Sequence, residues 1–176
     1  MRNIGRIRDY LDIETTQRLI SSLVMSRMDY CNALLAGLPL KSIERLQKVQ
    51  NQAARIVSRT KKRDHITPVL QDLHWLPIKA RIDFKILCNI FKCHIGEAPT
   101  YLKDVLQQRD SIRTLHSMNK NMLVTPKTNL KLGERAFSVY GPTLWNSIPE
   151  SIKSCSSIES FKSELKTFMF KNVYNL

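Results

Sequence analysis

Leu40 to Ser58 reads LKSIERLQKVQNQAARIVS. Its apolar residues Ile43, Leu46, Val49, Ala53, Ile56 and Val57 recur at the three- and four-residue intervals of an amphipathic helix. At 100° per residue, Lys41, Arg45, Lys48, Arg55 and Arg59 fall within about 40° of one line, opposite the apolar stripe. The stretch therefore predicts a helix with one core-facing side and one basic ridge. From Lys41 to Arg63 eight cations meet a single acid, Glu44, so this segment carries +7 of the chain's formal +13. A ridge spaced by helical turns and extended by Lys61-Lys62-Arg63 suits a phosphate backbone, because each neutralised phosphate releases condensed counterions. Gln47, Asn51 and Gln52 on its flanks are of a type that hydrogen-bonds phosphate, sugar or base edges. The competing reading is a solvated face whose charge serves solubility alone.

Upstream, from Glu14 to about Leu35, Leu19, Ile20, Leu23, Val24, Met28, Cys31, Leu34 and Leu35 keep the same rhythm, and Gly37 and Pro39 stop it. The short Gly-Leu-Pro connection makes a helical hairpin of residues 1–63. Downstream, Thr67 as N-cap with Pro68 at the first position predicts a short helix, and Ile78 to about Ile95 predicts a helix apolar over most of its circumference. A shorter helix is expected from Thr100 to about Gln107. Residues 109–135 read as an irregular basic loop, with Arg109, Arg113, Lys120, Lys127, Lys131 and Arg135 against Asp110 and Glu134. Asn121–Thr125 and Ala136–Tyr140 are candidate strands separated from later helix by a Gly141-Pro142 turn. Ser156 and Glu159 have capping-box spacing before a final helix carrying Phe161, Leu165, Phe168 and Met169. The expected fold is mainly α: the hairpin, then a helical region over 64–176 with a small two-stranded β element. Trp75 and Trp145 are expected in the core.

The chain's 176 residues, 43% hydrophobic and 24% charged, match a globular domain and exclude a disordered or collagen-like chain. Cys31, Cys88, Cys93 and Cys155 form no CxxC pair and read as reduced core or near-core thiols. The chain lacks the roughly 18 consecutive apolar residues of a membrane span and an apolar signal-peptide region near Met1, so no membrane partner and an intracellular place, nucleus or cytoplasm, are expected.

Catalytic patterns are missing. The five glycines are scattered, leaving neither GxGxxG nor GxxxxGK[ST], and GxSxG and HExxH are absent too. The acids are too isolated to hold a two-metal centre. His65 and His74 flank the short helix, where the apolar context of His74-Trp75 suits a satisfied core or interface histidine, and His94 and His116 have no sequence-near nucleophile to activate. No metal, cofactor or catalytic residue is expected.

Seven blocks in order carry a resemblance: Met28-Asp-Tyr-Cys-Asn32, Leu46-Gln-Lys-Val-Gln-Asn-Gln-Ala-Ala-Arg55, Lys62-Arg-Asp-His-Ile-Thr-Pro68, Leu73-His-Trp-Leu-Pro77, Arg81-Ile-Asp-Phe-Lys85, Arg135-Ala-Phe-Ser-Val139 and Leu144-Trp-Asn-Ser-Ile-Pro149. Together they resemble the thumb and post-thumb part of LINE-type, jockey-like non-LTR retrotransposon reverse transcriptases, over Arg2 to Phe170. The resemblance implies descent from an RNA-directed DNA polymerase. It implies no activity for this segment, since the family's polymerases depend on an aromatic-x-Asp-Asp motif and no Asp-Asp pair occurs here. The palm and endonuclease are absent, and the chain reads as a 5′-truncated element copy. Because a thumb grips template and primer through the backbone, the resemblance implies contacts from Lys41, Arg45, Lys48, Gln52, Arg55, Arg59, Lys61, Lys62 and Arg63. The expected partner is RNA or an RNA–DNA hybrid, held without sequence readout. A non-functional remnant, and a protein-interaction module using the apolar face a palm would cover, remain the alternatives.

Overall fold

The computed structural model describes residues 1–108 and 121–176, which are mainly helical. Its α-helices are α1 (Arg2–Ile7), α2 (Ile13–Ile20), α3 (Ser26–Asp29), α4 (Leu40–Ser58), α5 (Thr67–Asp72), α6 (Ile78–His94), α7 (Thr100–Lys103), α8 (Phe137–Ser147), α9 (Glu150–Lys153) and α10 (Ile158–Tyr174). Their contacts divide the chain into two units, Met1–Ile82 with Phe170–Leu176, and Asp83–Met169. No described helix is long and apolar enough to cross a membrane.

In the first unit α4 spans the limits its periodicity predicts, but it is rolled about its axis relative to the expected stripe. Ile43, Gln50, Ala53, Ala54 and Val57 are buried, while Val49 is 37% exposed. The reason is polar. Gln50 is fully buried and donates Nε2 to the Leu76 carbonyl at 2.8 Å, and its Oε1 accepts from Gln47 Nε2 at 2.9 Å. Gln47 Nε2 also reaches Asn51 Oδ1 at 2.8 Å, and Gln47 Oε1 accepts from the Ile78 backbone N–H at 2.9 Å. A face containing glutamine is thus buried because each end of the amide finds a partner.

The expected helix from Glu14 to Leu35 is interrupted twice. Asp12 caps α2 by accepting the Thr15 N–H at 3.2 Å. After Ile20 the chain widens into a π-helical turn over Ser21–Met25, where Ser22 Oγ donates to Leu19 O at 3.1 Å and Ser26 Oγ to Ser22 O. Serine hydroxyls compete for the carbonyls of the helical ladder in this way. The helix ends at Asp29 because Cys31 takes a left-handed φ of 51°, and a 3₁₀ turn follows over Asn32–Leu35. Leu34 is consequently 78% exposed, and Cys31 is exposed where a near-core thiol was expected. Asp29 accepts from Arg81 Nε at 2.9 Å and pairs its other oxygen with Nη2, tying this turn to the start of α6. The core here is Ile4, Ile20, Met25, Ala53, Ala54, Val57, Leu70 and Trp75.

The Leu73-His-Trp-Leu-Pro77 block closes α5. His74 is left-handed at φ 53°, and the Trp75 N–H reaches back to Leu70 O at 2.9 Å while the His74 N–H reaches Gln71 O at 2.9 Å. These are the two bonds of a Schellman stop. The buried Trp75 also receives, on its carbonyl, the Tyr174 hydroxyl at 2.6 Å. Pro68 lies in the first turn of α5 as expected, but Ile66 occupies the cap position and Thr67 is already helical.

In the second unit Phe91 stacks on Phe161 at 4.1 Å between ring centroids, and Trp145 lies 6.0 Å from the same ring. The predicted β element is corrected here. Ala136–Tyr140 is not a strand: α8 begins at Phe137 and continues through Gly141-Pro142 to Ser147. Packing decides it, since a Cβ on Gly141 would stand 3.0 Å from Ile90 Cδ1, so glycine lets α8 lie close against α6. Of Asn121–Thr125 only Leu123 forms a bridge, an isolated antiparallel one with Gln108. The rest of its pairing comes from a side chain. Asn146 Oδ1 accepts the Leu123 N–H at 3.0 Å and Nδ2 donates to Leu123 O at 2.9 Å, while Trp145 Nε1 donates to Asn121 O at 2.7 Å. The Leu144-Trp-Asn-Ser-Ile-Pro149 block is therefore a clamp on an extended segment. α7 stops at Lys103, short of the expected Gln107. At the last helix Ser157, not Ser156, accepts the capping bond, from the Ser160 N–H at 3.2 Å.

Candidate nucleic-acid interface

The nine candidate residues all lie on α4 or within the five residues after it. Lys41, Arg45, Lys48 and Gln52 are exposed on one line of the helix, opposite the buried Ile43, Gln50 and Val57. From Lys41 to Gln52 the line is about 16 Å long at 1.5 Å per residue. Among the described residues these three cations enter no ion pair, although Glu44 stands four residues before Lys48, the spacing at which a helical pair forms. Their ammonium and guanidinium groups are free to meet a ligand.

Arg55 and Arg59 differ. Arg55 is half-buried and donates Nη1 to Lys61 O and Nη2 to Asp64 O, the latter at 2.8 Å. Arg59, left-handed at φ 56° where it ends α4, donates Nη2 to Arg8 O at 3.1 Å and Leu11 O at 3.2 Å. Both guanidinium groups keep their charge and add to the local field, but their donors hold main-chain carbonyls. They build the platform rather than extend the ridge.

What they build is a basic turn. Asp64 Oδ2 accepts the Lys61 N–H at 3.0 Å, and the Asp64 N–H returns to Lys61 O at 3.2 Å. Lys61, Lys62 and Arg63 are exposed on this turn. Sequence reasoning counted these cations and read Asp64 as a turn residue paired with His65; its carboxylate instead receives the Lys61 N–H three residues back, a bond no local pattern announces. Gln47 and Asn51, expected on the flanks for ligand contact, are engaged with each other, and Gln47 also with Gln50 and Ile78. Gln52 alone of the three polar flank residues is exposed. The structure thus divides the candidates into six exposed cations and one amide available for binding, and two arginines already at work in the fold.

In the second basic region, Lys127 and Lys131 are exposed, whereas Arg109, Asp110, Arg113 and Lys120 lie outside the described residues. Elsewhere, burial pushes the Cys88 thiol up to about 11 despite Lys162, Lys85 and Lys92. A thiol held protonated in this way is a poor nucleophile at neutral pH. Among the described residues, no three His, Cys, Asp or Glu side chains cluster where they could hold a metal ion. No protein-family model, curated protein or solved structure matches the chain.

Proposed function

We propose that this chain is a reverse-transcriptase-derived module, from the thumb and post-thumb part of a LINE-type retrotransposon polymerase, that holds RNA or an RNA–DNA hybrid by its phosphate backbone and performs no chemistry. Residues 1–63 act as the thumb-like hairpin and α4 as its gripping helix. The observation that carries this reading is the exposed, unpaired line Lys41, Arg45, Lys48 and Gln52, extended by the cationic turn Lys61–Arg63. The field of such a surface is one-signed and attracts a polyanion at long range. Sequence-specific readout needs side chains placed on base edges, and the ridge offers one amide, so affinity comes from phosphates.

The test is binding of the purified chain to a fluorescent RNA–DNA hybrid across a salt series. Six exposed cations, each neutralising one phosphate, predict that log K falls with log salt at a slope of about −5. Equal affinity for hybrids of unrelated sequence is expected as well. Salt-independent binding, or none by the folded chain, would remove the proposal.

A further inference from the structure

A second surface of the first unit has a different chemistry, an apolar one, and shares only its marginal cations Arg45 and Lys48 with the ridge. Met1, Asn3 and Ile4 beside α1, Leu23, Val24, Arg27 and Met28 from the π-turn and α3, and Val49 on α4 line a groove of about 460 Å³. The π-helical turn shapes it. Inserting a widened turn between α2 and α3 brings the consecutive Leu23 and Val24 both to the groove, and leaves Leu23 50% exposed. The roll of α4 about Gln50 adds Val49, which a stripe centred on the apolar residues would have buried. Single π-turns inside helices recur where a surface is used.

Three observations define the occupant. The groove is concave and apolar along its floor, so it takes protruding apolar side chains rather than a flat bilayer. Its lining includes no aromatic ring, and the first unit contains no strand among its described residues; neither a polyproline slot nor a free sheet edge is offered, and an apolar floor fits the stripe of a helix laid in a groove. The one charged side chain in its lining is a cation, Arg27, and the exposed cations Arg45 and Lys48 lie on α4 within about a turn of Val49. The one carboxylate on α4, Glu44, is about 140° around the helix from Val49. Asp29, next to Met28, is paired with Arg81. A second copy of a chain carrying +13 would bring like charge to like charge.

We infer that this groove docks an amphipathic helix of another protein whose apolar stripe enters between Leu23, Val24 and Val49 and whose acidic flank meets Arg27, Arg45 and Lys48. The π-turn supplies the width and the cationic margin supplies the orientation.

The probe is a fluorescein-labelled 18-residue helical peptide with leucines at i, i+3, i+4 and i+7 and glutamates on both flanks, set beside its counterpart with lysines in place of the glutamates. Anisotropy titration of the full chain is expected to give saturable binding of the acidic peptide, weakened about tenfold by Leu23→Asp, a change of about 1.4 kcal/mol, and at least threefold by Arg27→Glu. The lysine peptide should not bind. Both variants change exposed side chains, and an unaltered cooperative melting transition shows that each remains folded. Equal binding of the two peptides, no binding of the acidic one, or binding indifferent to Leu23→Asp overturns the proposal. So does a dimer in sedimentation that Leu23→Asp disperses, since the occupant would then be a second copy.

Discussion

Arg55 donates through Nη2 to the carbonyl oxygen of Asp64 at 2.8 Å, and through Nη1 to that of Lys61, so a cation on the ridge line of α4 is committed to holding the turn that follows the helix. Two cations about 20° apart around one helix therefore have different duties, Arg55 in the fold and Lys48 toward solvent.

Stability separates them. Arg55→Gln removes two charge-assisted bonds from a half-buried site and is expected to cost about 1 kcal/mol, whereas Lys48→Gln should lie within about 0.5 kcal/mol of the parent. Urea unfolding followed by circular dichroism gives both numbers. Equal costs would mean that Arg55 is not a structural residue.

Gln50 is the sharpest case of a polar group set in a core. Gln50→Leu keeps volume but leaves the Leu76 carbonyl without its donor and removes the acceptor that positions Gln47. A loss of about 1–3 kcal/mol is expected, although the change adds an apolar side chain. A neutral or stabilising result would show that water satisfies Leu76.

For the clamp on the second unit, Asn146→Ala should cost about 1–3 kcal/mol, because it strips Leu123 of partners for both its N–H and its carbonyl. Amide hydrogen exchange at Leu123 should quicken in the variant. Unchanged protection there would contradict the clamp.

Cys88 contributes to alkaline stability, alongside Cys93, Cys155, Tyr140 and Tyr174, which burial raises as well. The Cys88 thiol titrates near 9.0 when unperturbed and is pushed up to about 11 by burial, so the native state holds this proton more tightly than the unfolded chain. The contribution is complete below about pH 9 and is lost as pH rises toward 11. Lys153 has the opposite sign in part of that window: burial lowers it below 10.5, so its contribution grows toward alkaline pH. Cys88→Ala should make the decline between pH 9 and 11 shallower without abolishing it in a series of chemical melts, since Cys93, Cys155 and Tyr174 are raised too. At pH 8 a thiol reagent should label exposed Cys31 long before Cys88, a difference that peptide mass spectrometry resolves.

The helix α4 was legible to the residue, because its limits are set by Pro39 and by a periodicity that runs nineteen residues. Its roll was not, since hydropathy assigns Gln50 to water and the partners that bury it, Leu76 and Ile78, come 26 and 28 residues later. The strand reading of Ala136–Tyr140 failed for a related reason. Five residues are too short to separate a period of two from one of 3.6, and Gly141-Pro142 signals a turn unless Ile90 is known to press against it. Asn121–Thr125 does carry an extended bridge residue, but Asn146 does the work of a second strand, and no local pattern announces a side chain in that role. On the ridge of α4, Lys41, Arg45 and Lys48 could be placed on one line from spacing alone. The engagement of Arg55 and Arg59 rests on carbonyl oxygens, which every residue has, and so leaves no mark in the sequence.

The most direct measurement is the salt dependence of RNA–DNA hybrid binding by the parent chain and by the variant carrying Lys41→Gln, Arg45→Gln and Lys48→Gln, both checked for the same cooperative melt. The account predicts a parent slope of about −5 in log K against log salt that shrinks by about 3 in the variant, roughly one for each phosphate contact removed. An unchanged slope in a folded variant would contradict the assignment of the exposed α4 ridge to the phosphate backbone.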